Sequence, residues 1–447
     1  MTHPLPSTLQ DDLTLSRRRW LLGSGGAALA LGLQPGVASA QRLATKAHIV
    51  IAGSGLGGLA VANRLSKMLD GAKITIIDAK EVHNYQPGYT LVATGIWPLG
   101  KVNDMRNADL QHDGIEWIKD MVAGFDPSAN TVTTASGTSI RYDYLVVGIG
   151  THQDWTQIEG MDLKAIGTNG LTSVYPSADA AAATWVAMDA FRKIGGNAVM
   201  TVPATPLKCA GAPLKMTFML RDRLAQAGTL GNSKVTYYAA LTSVFGVKVV
   251  NDNVLTRWKD LGIGVEYSQK LKSVDIGARR ATFANPEGDT LEVPYDFIHV
   301  VPPMRAPDAV KNSDLAWKEG PMAAGGWLEV DKATLQHKRF KNVFGIGDIN
   351  GTPRGKTAAT IKKSAPMVAQ HVVDVIAGRE PGQKFDGYTS CPLIVREGAA
   401  MLIEFDYDGN LTPSLPMIEP LEAGFFGWLL KYRMLKPAYI SVLHGRV

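Results

Sequence analysis

Two thiols are the residues of this chain best suited to chemistry. Cys209 lies in Pro206-Leu207-Lys208-Cys209-Ala210-Gly211-Ala212-Pro213, and Cys391 in Tyr388-Thr389-Ser390-Cys391-Pro392-Leu393. They are the only cysteines in 447 residues, and neither belongs to a metal-binding pattern. A thiolate is both nucleophile and leaving group, so a pair of cysteines can exchange sulfur with a small thiol or sulfide. Cys209 is expected to precede a helix N-terminus and to neighbour the Lys208 ammonium; both favour the thiolate. Pro392 biases Cys391 towards extended backbone. The same residues also read as a plain stabilising disulfide or as two unrelated buried thiols, and spacing alone does not separate these readings. His83 and His299 lack partners at ligand spacing, and Cys-x-x-Cys-His is absent, so metal or haem chemistry is not expected.

The elements that must position these sulfurs begin with a nucleotide loop. His48-Ile49-Val50-Ile51-Ala52 reads as a buried parallel strand, followed by Gly53-Ser54-Gly55-Leu56-Gly57-Gly58 and a helical pattern. Lys73-Ile74-Thr75-Ile76-Ile77-Asp78 is a second strand ending in an acid. Gly53 allows the tight turn, Gly55 lets the backbone approach a pyrophosphate, and Gly58 lets helix and strand pack closely. The helix N-terminus attracts the phosphates, and Asp78 accepts from the ribose hydroxyls. Two later segments, Arg141 to Gly150 and Asn342 to Ile349, read as strands running into small-residue turns, the second reaching the acid Asp348. Together these segments resemble the flavoproteins with two dinucleotide-binding domains. That resemblance implies FAD, with Gly148 and Gly347 in its cradle and Asp348 on its ribityl chain. Asp348 as a simple helix cap is the plainer reading.

A second nucleotide site is expected over roughly 160–300 and is altered there. The strand Asn197 to Val202 is followed not by close glycines but by Pro203-Ala204-Thr205-Pro206-Leu207-Lys208-Cys209. A proline-containing loop lacks the backbone approach and the free N–H donors that hold a pyrophosphate. The helix behind it begins with Pro213 at a favoured first-turn position. The scaffold persists without its ligand, which argues against a nicotinamide donor.

The strings around Cys209 and Cys391, together with Tyr85-Gln86-Pro87-Gly88-Tyr89-Thr90-Leu91 and Asp406-Tyr407, resemble those of the sulfide:quinone oxidoreductases, in particular the two-cysteine, mitochondrial-like group. The resemblance runs from about residue 46 to the C-terminal region. It implies a redox-active bridge between Cys209 and Cys391 beside the flavin. Sulfide then attacks at Cys391 and leaves a persulfide, Cys209 is released to address the isoalloxazine ring, and the electrons pass to quinone. The chain has no third cysteine, unlike other groups and the flavocytochrome c sulfide dehydrogenases, so FAD is expected to be non-covalent. Lys362 and Lys363 are charged where such relatives carry neutral residues. Lys363 is the candidate for stabilising a reduced, anionic flavin, against the plainer reading of a solvated helix face.

Composition fits this reading. Forty-six glycines and 45% hydrophobic residues suit an α/β enzyme, and a net charge of +5 is too small to argue for nucleic acid. Arg17-Arg18-Arg19-Trp20-Leu21-Leu22, an Ala/Gly/Leu run and Ala38-Ser39-Ala40 resemble a twin-arginine export signal, which predicts a periplasmic protein. The expected organisation is an export signal (1–40), a first FAD part (41–155), a second Rossmann-like domain (156–302), a second FAD part (303–395) and a C-terminal region (396–447). In that region Phe425, Trp428, Leu429, Tyr432 and Leu435, with three cations, predict an amphipathic helix resting on a membrane surface near quinone. A helix packed on the body of the protein is the alternative, and a homo-oligomer stays open. The rival functions are a sulfide dehydrogenase donating to cytochrome c, an NADH:quinone reductase, and a flavin-bound interaction protein with a structural disulfide.

Overall fold

Short apolar runs between glycine turns fold here into two parallel sheets, in a computed structural model that describes residues 42–447. The signal expected over 1–40 lies outside the described residues. In chain order, β1 (His48–Ala52) leads through the glycine loop into α1 (Leu56–Met68), and β2 (Lys73–Ile77), β3 (Glu116–Ile118) and β4 (Tyr144–Val147) follow. Next come β5 (Leu171–Thr172), α2 (Ala178–Ile194), β6 (Gly196–Val202), α3 (Ala212–Ala227), β7 (Ser233–Ala239), α4 (Lys248–Asp260), β8 (Gly264–Glu266) and β9 (Phe297–His299). β10 (Val343–Gly345), α5 (Ala358–Ile376), β11 (Thr389–Arg396), β12 (Ala399–Phe405) and α6 (Leu435–Leu443) complete the set that positions the site.

The first sheet has the order β10-β4-β1-β2-β3, and every pairing in it is parallel. Ile49, Val50, Ile51 and Ala52 are fully buried, as a strand covered on both faces requires. The connections leave β1 in opposite directions, so the crevice beyond the ends of β1 and β4 is a topological switch point, where open α/β sheets bind ligands. The second sheet repeats the plan with the order β5-β9-β6-β7-β8, also parallel. Its switch point lies beyond β6, where the Cys209 loop begins.

Each parallel sheet has an antiparallel three-stranded companion: Val122–Asp126, Thr131–Thr134 and Ser139–Arg141 in one case, Lys270–Asp275, Arg280–Ala284 and Thr290–Pro294 in the other. In the second, the hairpin between Lys270–Asp275 and Arg280–Ala284 turns with Arg279 at φ +53°. β11 and β12 pair as an antiparallel hairpin that sets Cys391 opposite Ile403. α3 and α5 both pack against β11, so Cys391 is held between the two halves of the fold. Among the described residues no helix is long and apolar enough to cross a membrane.

Candidate active site

The crevice beyond β1 is shaped for a dinucleotide by groups with no room to be otherwise. Gly53 has φ +101°, and a Cβ there would stand 2.6 Å from the Gly148 carbonyl oxygen; a Cβ on Gly58 would run into the Gly53 carbonyl. α1 starts at its N-cap Gly55 with no capping side chain and no acid in its first turn. Its free N–H groups and dipole therefore face outward for an anion. Gly148 donates its N–H to Ala52 O at 2.8 Å, which closes the crevice between β1 and β4. Asp78 ends β2 with Oδ2 accepting the Ser54 N–H at 2.7 Å and Oδ1 accepting the Lys80 N–H at 2.9 Å.

Asp348 follows Gly347, whose φ of +80° turns the chain after β10. Burial pushes the Asp348 carboxyl up, and Lys356 and Lys208 pull it back down. A phosphate seat with an acid on either side of the switch point fits FAD, and Gly53, Gly55, Gly58, Asp78, Gly148, Gly347 and Asp348 would hold it.

The sulfur site is built where the second sheet would carry its own nucleotide. Cys209 has φ +51°, a left-handed conformation uncommon for a residue with a side chain. It is held there by its N–H donating to Lys356 O at 2.9 Å and by its carbonyl accepting from Ala212 N–H at 2.8 Å. Cys391 is buried, and both cysteines are free thiols, so the bridge expected between them is not joined in this structure. They meet at one ammonium: Lys215 Nζ stands 3.7 Å from Cys209 Sγ, and its charge also acts on Cys391. The Cys391 sulfur fills the space over Gly211, the N-cap of α3; a Cβ on Gly211 would overlap it. A sulfur thus occupies the helix N-terminus that a nicotinamide dinucleotide would need.

Three lysines are buried around this site, Lys215, Lys356 and Lys431, at 3%, 7% and 2% exposed; the sequence carries no sign of a role for the first two and places Lys431 on the surface. Burial alone would lower the Lys215 ammonium, but Cys209 and Cys391 raise it above the ordinary lysine value. Burial and the Lys215 charge hold Lys431 down to about 7, although both cysteines oppose the shift; its Nζ donates to Pro87 O at 2.6 Å. Burial lowers Lys356 to about 7 against the pull of Asp348. Its Nζ donates to the carbonyls of Asp348 (2.6 Å) and Asn350 (2.9 Å) and lies 3.6 Å from the Trp327 ring centre. Burial pushes the Cys391 thiol up; Lys215 opposes this and Cys209 adds to it.

Two expected lysine roles change places. Lys208 makes its contact elsewhere, Nζ donating to Gln86 Oε1 at 2.8 Å, although its charge still interacts with Cys209; the lysine that touches the sulfur is Lys215, one turn into α3. Lys363 is exposed on α5, its Nζ 3.8 Å from the centre of the Tyr388 ring, whereas Lys356 is the lysine held on the Asp348 loop. A lysine in a loop gives no periodic signal of burial, which is why the helical pair stood out instead.

The expected aromatic face of the C-terminal segment is also redistributed. A short helix, Phe425–Leu429, runs into a π-turn, Leu430–Met434, before α6. Within the first helix Trp428 turns inward while Phe425, Phe426 and Leu429 are exposed; the wider turn then breaks the 3.6-residue period, with Lys431 inward and Met434 exposed. Trp428 and Tyr432 stack at 5.5 Å, and with Ile96, Trp185, Arg223 and Glu397 they line a cleft of about 440 Å³. Of the three expected surface cations Arg433 alone is exposed without an acidic partner among the described residues, its guanidinium 4.7 Å from the centre of the Tyr432 ring; Lys431 is buried, and Lys436 is paired with Asp104 at 2.5 Å.

The description "pyridine nucleotide-disulphide oxidoreductase" belongs to the family model that matches residues 47–373. The mitochondrial sulfide:quinone oxidoreductase of Dictyostelium discoideum is 36% identical over 91% of this chain and 88% of its own. That of Mus musculus is 33% identical over 89% and 86%. The X-ray structure of the sulfide:quinone oxidoreductase from Aquifex aeolicus has the same fold, with a TM-score of 0.73 at 23% identity, covering 89% of this chain and 92% of that one. The two mitochondrial relatives overturn the exported, periplasmic location expected from residues 16–40 and point to a mitochondrial one. The reason is that arginine enrichment near the start is common to export leaders and organellar transit sequences, so it does not fix the compartment. The chain belongs to the FAD-dependent pyridine nucleotide-disulphide oxidoreductases and, within them, to the sulfide:quinone oxidoreductase family.

Proposed function

We propose that this enzyme oxidises sulfide to sulfane sulfur at Cys209 and Cys391 and passes the electrons to quinone. The observation that supports this most directly is two cysteines, 182 positions apart, converging on one buried ammonium at the switch point of the second sheet. In the oxidised enzyme the two sulfurs are joined. Hydrosulfide attacks the Cys391 sulfur; the S–S bond breaks, a persulfide forms on Cys391, and the electron pair leaves with Cys209 as thiolate. Lys215, 3.7 Å from the Cys209 sulfur, stabilises that leaving thiolate. Transfer of the outer sulfur to a nucleophile of the thiol, sulfite or sulfide class leaves Cys391 as thiolate, and rejoining the pair releases two electrons. FAD, when bound, is the two-electron acceptor that links the sulfur pair to quinone. Lys431 and Lys356 add positive charge that draws the hydrosulfide anion inward.

The exposed Phe425, Phe426, Leu429 and Met434, with Arg433, form a face suited to a lipid surface. The cleft between Trp185 and the Trp428–Tyr432 stack is the approach for quinone, since Lys431 of the same turn reaches the sulfur site.

The test is an anaerobic titration. Sulfide is expected to bleach the flavin absorbance of the purified enzyme and a soluble quinone to restore it. Cys209→Ser and Cys391→Ser should each keep FAD and lose bleaching by sulfide. Flavin that answers NADH but not sulfide would sink the reading, and recovery with cytochrome c alone would replace the acceptor.

A further inference from the structure

A file of buried hydrogen bonds runs from the glycine loop to α6, and its polarity can be worked out. Asn107 Nδ2 donates to Ser54 Oγ at 2.6 Å and to Lys80 O at 2.5 Å, so its Oδ1 faces His83 Nδ1 at 3.0 Å as an acceptor. His83 Nδ1 must therefore carry the proton. Burial lowers the His83 ring below its ordinary value, so the ring is neutral and Nε2 is an acceptor. The Tyr439 hydroxyl, 2.8 Å from Nε2, is then the donor. Protons thus point in one direction, from Tyr439 to His83 to Asn107 to Ser54. Ser54 Oγ receives from Asn107 and keeps its own proton for another acceptor. Ser54 stands between Gly53 and Gly55, with its backbone N–H fixed on Asp78.

α6 delivers Tyr439 and is itself pinned to α1, the helix that opens on the phosphate seat. Asn63 Nδ2 donates to Leu443 O at 2.7 Å, Arg64 to Val442 O at 3.3 Å, and Lys67 to His444 O at 2.7 Å. These bonds satisfy the carbonyls that a helix leaves open at its C-terminus.

We propose that Tyr439, His83 and Asn107 are positioning residues that orient the Ser54 hydroxyl as a hydrogen-bond donor to the pyrophosphate of FAD, which makes α6 part of the flavin seat. This rests on the FAD reading above. Charge at Asp348 also reaches Tyr439, which burial and the nearby Tyr85 and Tyr89 already push up, so the file ends beside the second acid of the cradle.

The test is the FAD dissociation constant of the apoprotein, read by flavin fluorescence, for wild type, Ser54→Ala, Tyr439→Phe and the double variant. Each single change removes one hydroxyl and leaves the packing shape, and circular dichroism confirms the fold. Each single variant is expected to bind FAD about tenfold more weakly, the size of one lost hydrogen bond to a charged group. The double variant should be no weaker than Ser54→Ala, because Tyr439 acts only through Ser54. His83→Gln should behave like Tyr439→Phe. Unchanged affinity in the single variants, or losses that multiply in the double, overturns the proposal while the FAD reading stands. A wild type that takes up no FAD overturns both.

Discussion

At the scale of single residues, charge decides how this site behaves with pH. Lys431 is held down to about 7 by burial and by Lys215, so its ammonium is present below that pH and lost as pH rises through it. The rate of sulfide-driven flavin bleaching, expressed per hydrosulfide ion, is expected to fall as pH rises through about 7, and Lys431→Met should flatten that limb. The same shift opposes folding at low pH, because the unfolded chain keeps the proton to a higher pH and stability therefore climbs as pH rises above about 7. Lys431→Met should accordingly raise the melting temperature at pH 6. Lys215 differs: the two sulfurs hold its proton above the ordinary lysine value, so it stays charged throughout. Lys215→Met should slow bleaching by about 10²-fold with FAD content unchanged, the usual cost of removing one donor from a developing anion. A drop in FAD content equal to the drop in rate would show a structural role instead.

Between residue and fold stand the turns and helix ends that aim these groups. Gly211 caps α3 against the Cys391 sulfur, so Gly211→Ala forces the two apart. The variant is expected to lose about 1–3 kcal/mol of stability from overpacking, and to bind FAD normally while answering sulfide slowly. Chemical denaturation and the same titration check both parts. This level also explains what could be read in advance. β1, its glycine loop, α1, β2 and Asp78 were legible, because a buried strand and a phosphate turn each leave a local signature. Cys209 and Cys391 were legible as a pair through the strings around them. Lys215 was not, since a lysine inside a helical pattern reads as solvated, and its role depends on β11 crossing above it. Lys431 was hidden for a different reason: the π-turn rotates it inward against the period used to place it outside.

For the whole molecule, the α/β fold class with two dinucleotide-binding-like domains expected from the sequence describes the fold, and each of the two parallel sheets places its chemistry at a switch point. The exposed aromatic face predicts peripheral binding to lipid. Phe425→Ser with Phe426→Ser should weaken association with anionic vesicles roughly thirtyfold, about 2 kcal/mol of apolar transfer, and leave the reaction with a soluble quinone intact. Co-sedimentation that is unchanged in the double variant would assign the face to another partner. The Cys391 sulfur lodged over Gly211 has a consequence for redesign as well. One small volume holds either a thiol or the edge of a dinucleotide, so a nicotinamide site here would require removing the thiol and rebuilding the Pro203–Lys208 loop in glycine. Removing the thiol alone is expected to end the response to sulfide without gaining one to NADH.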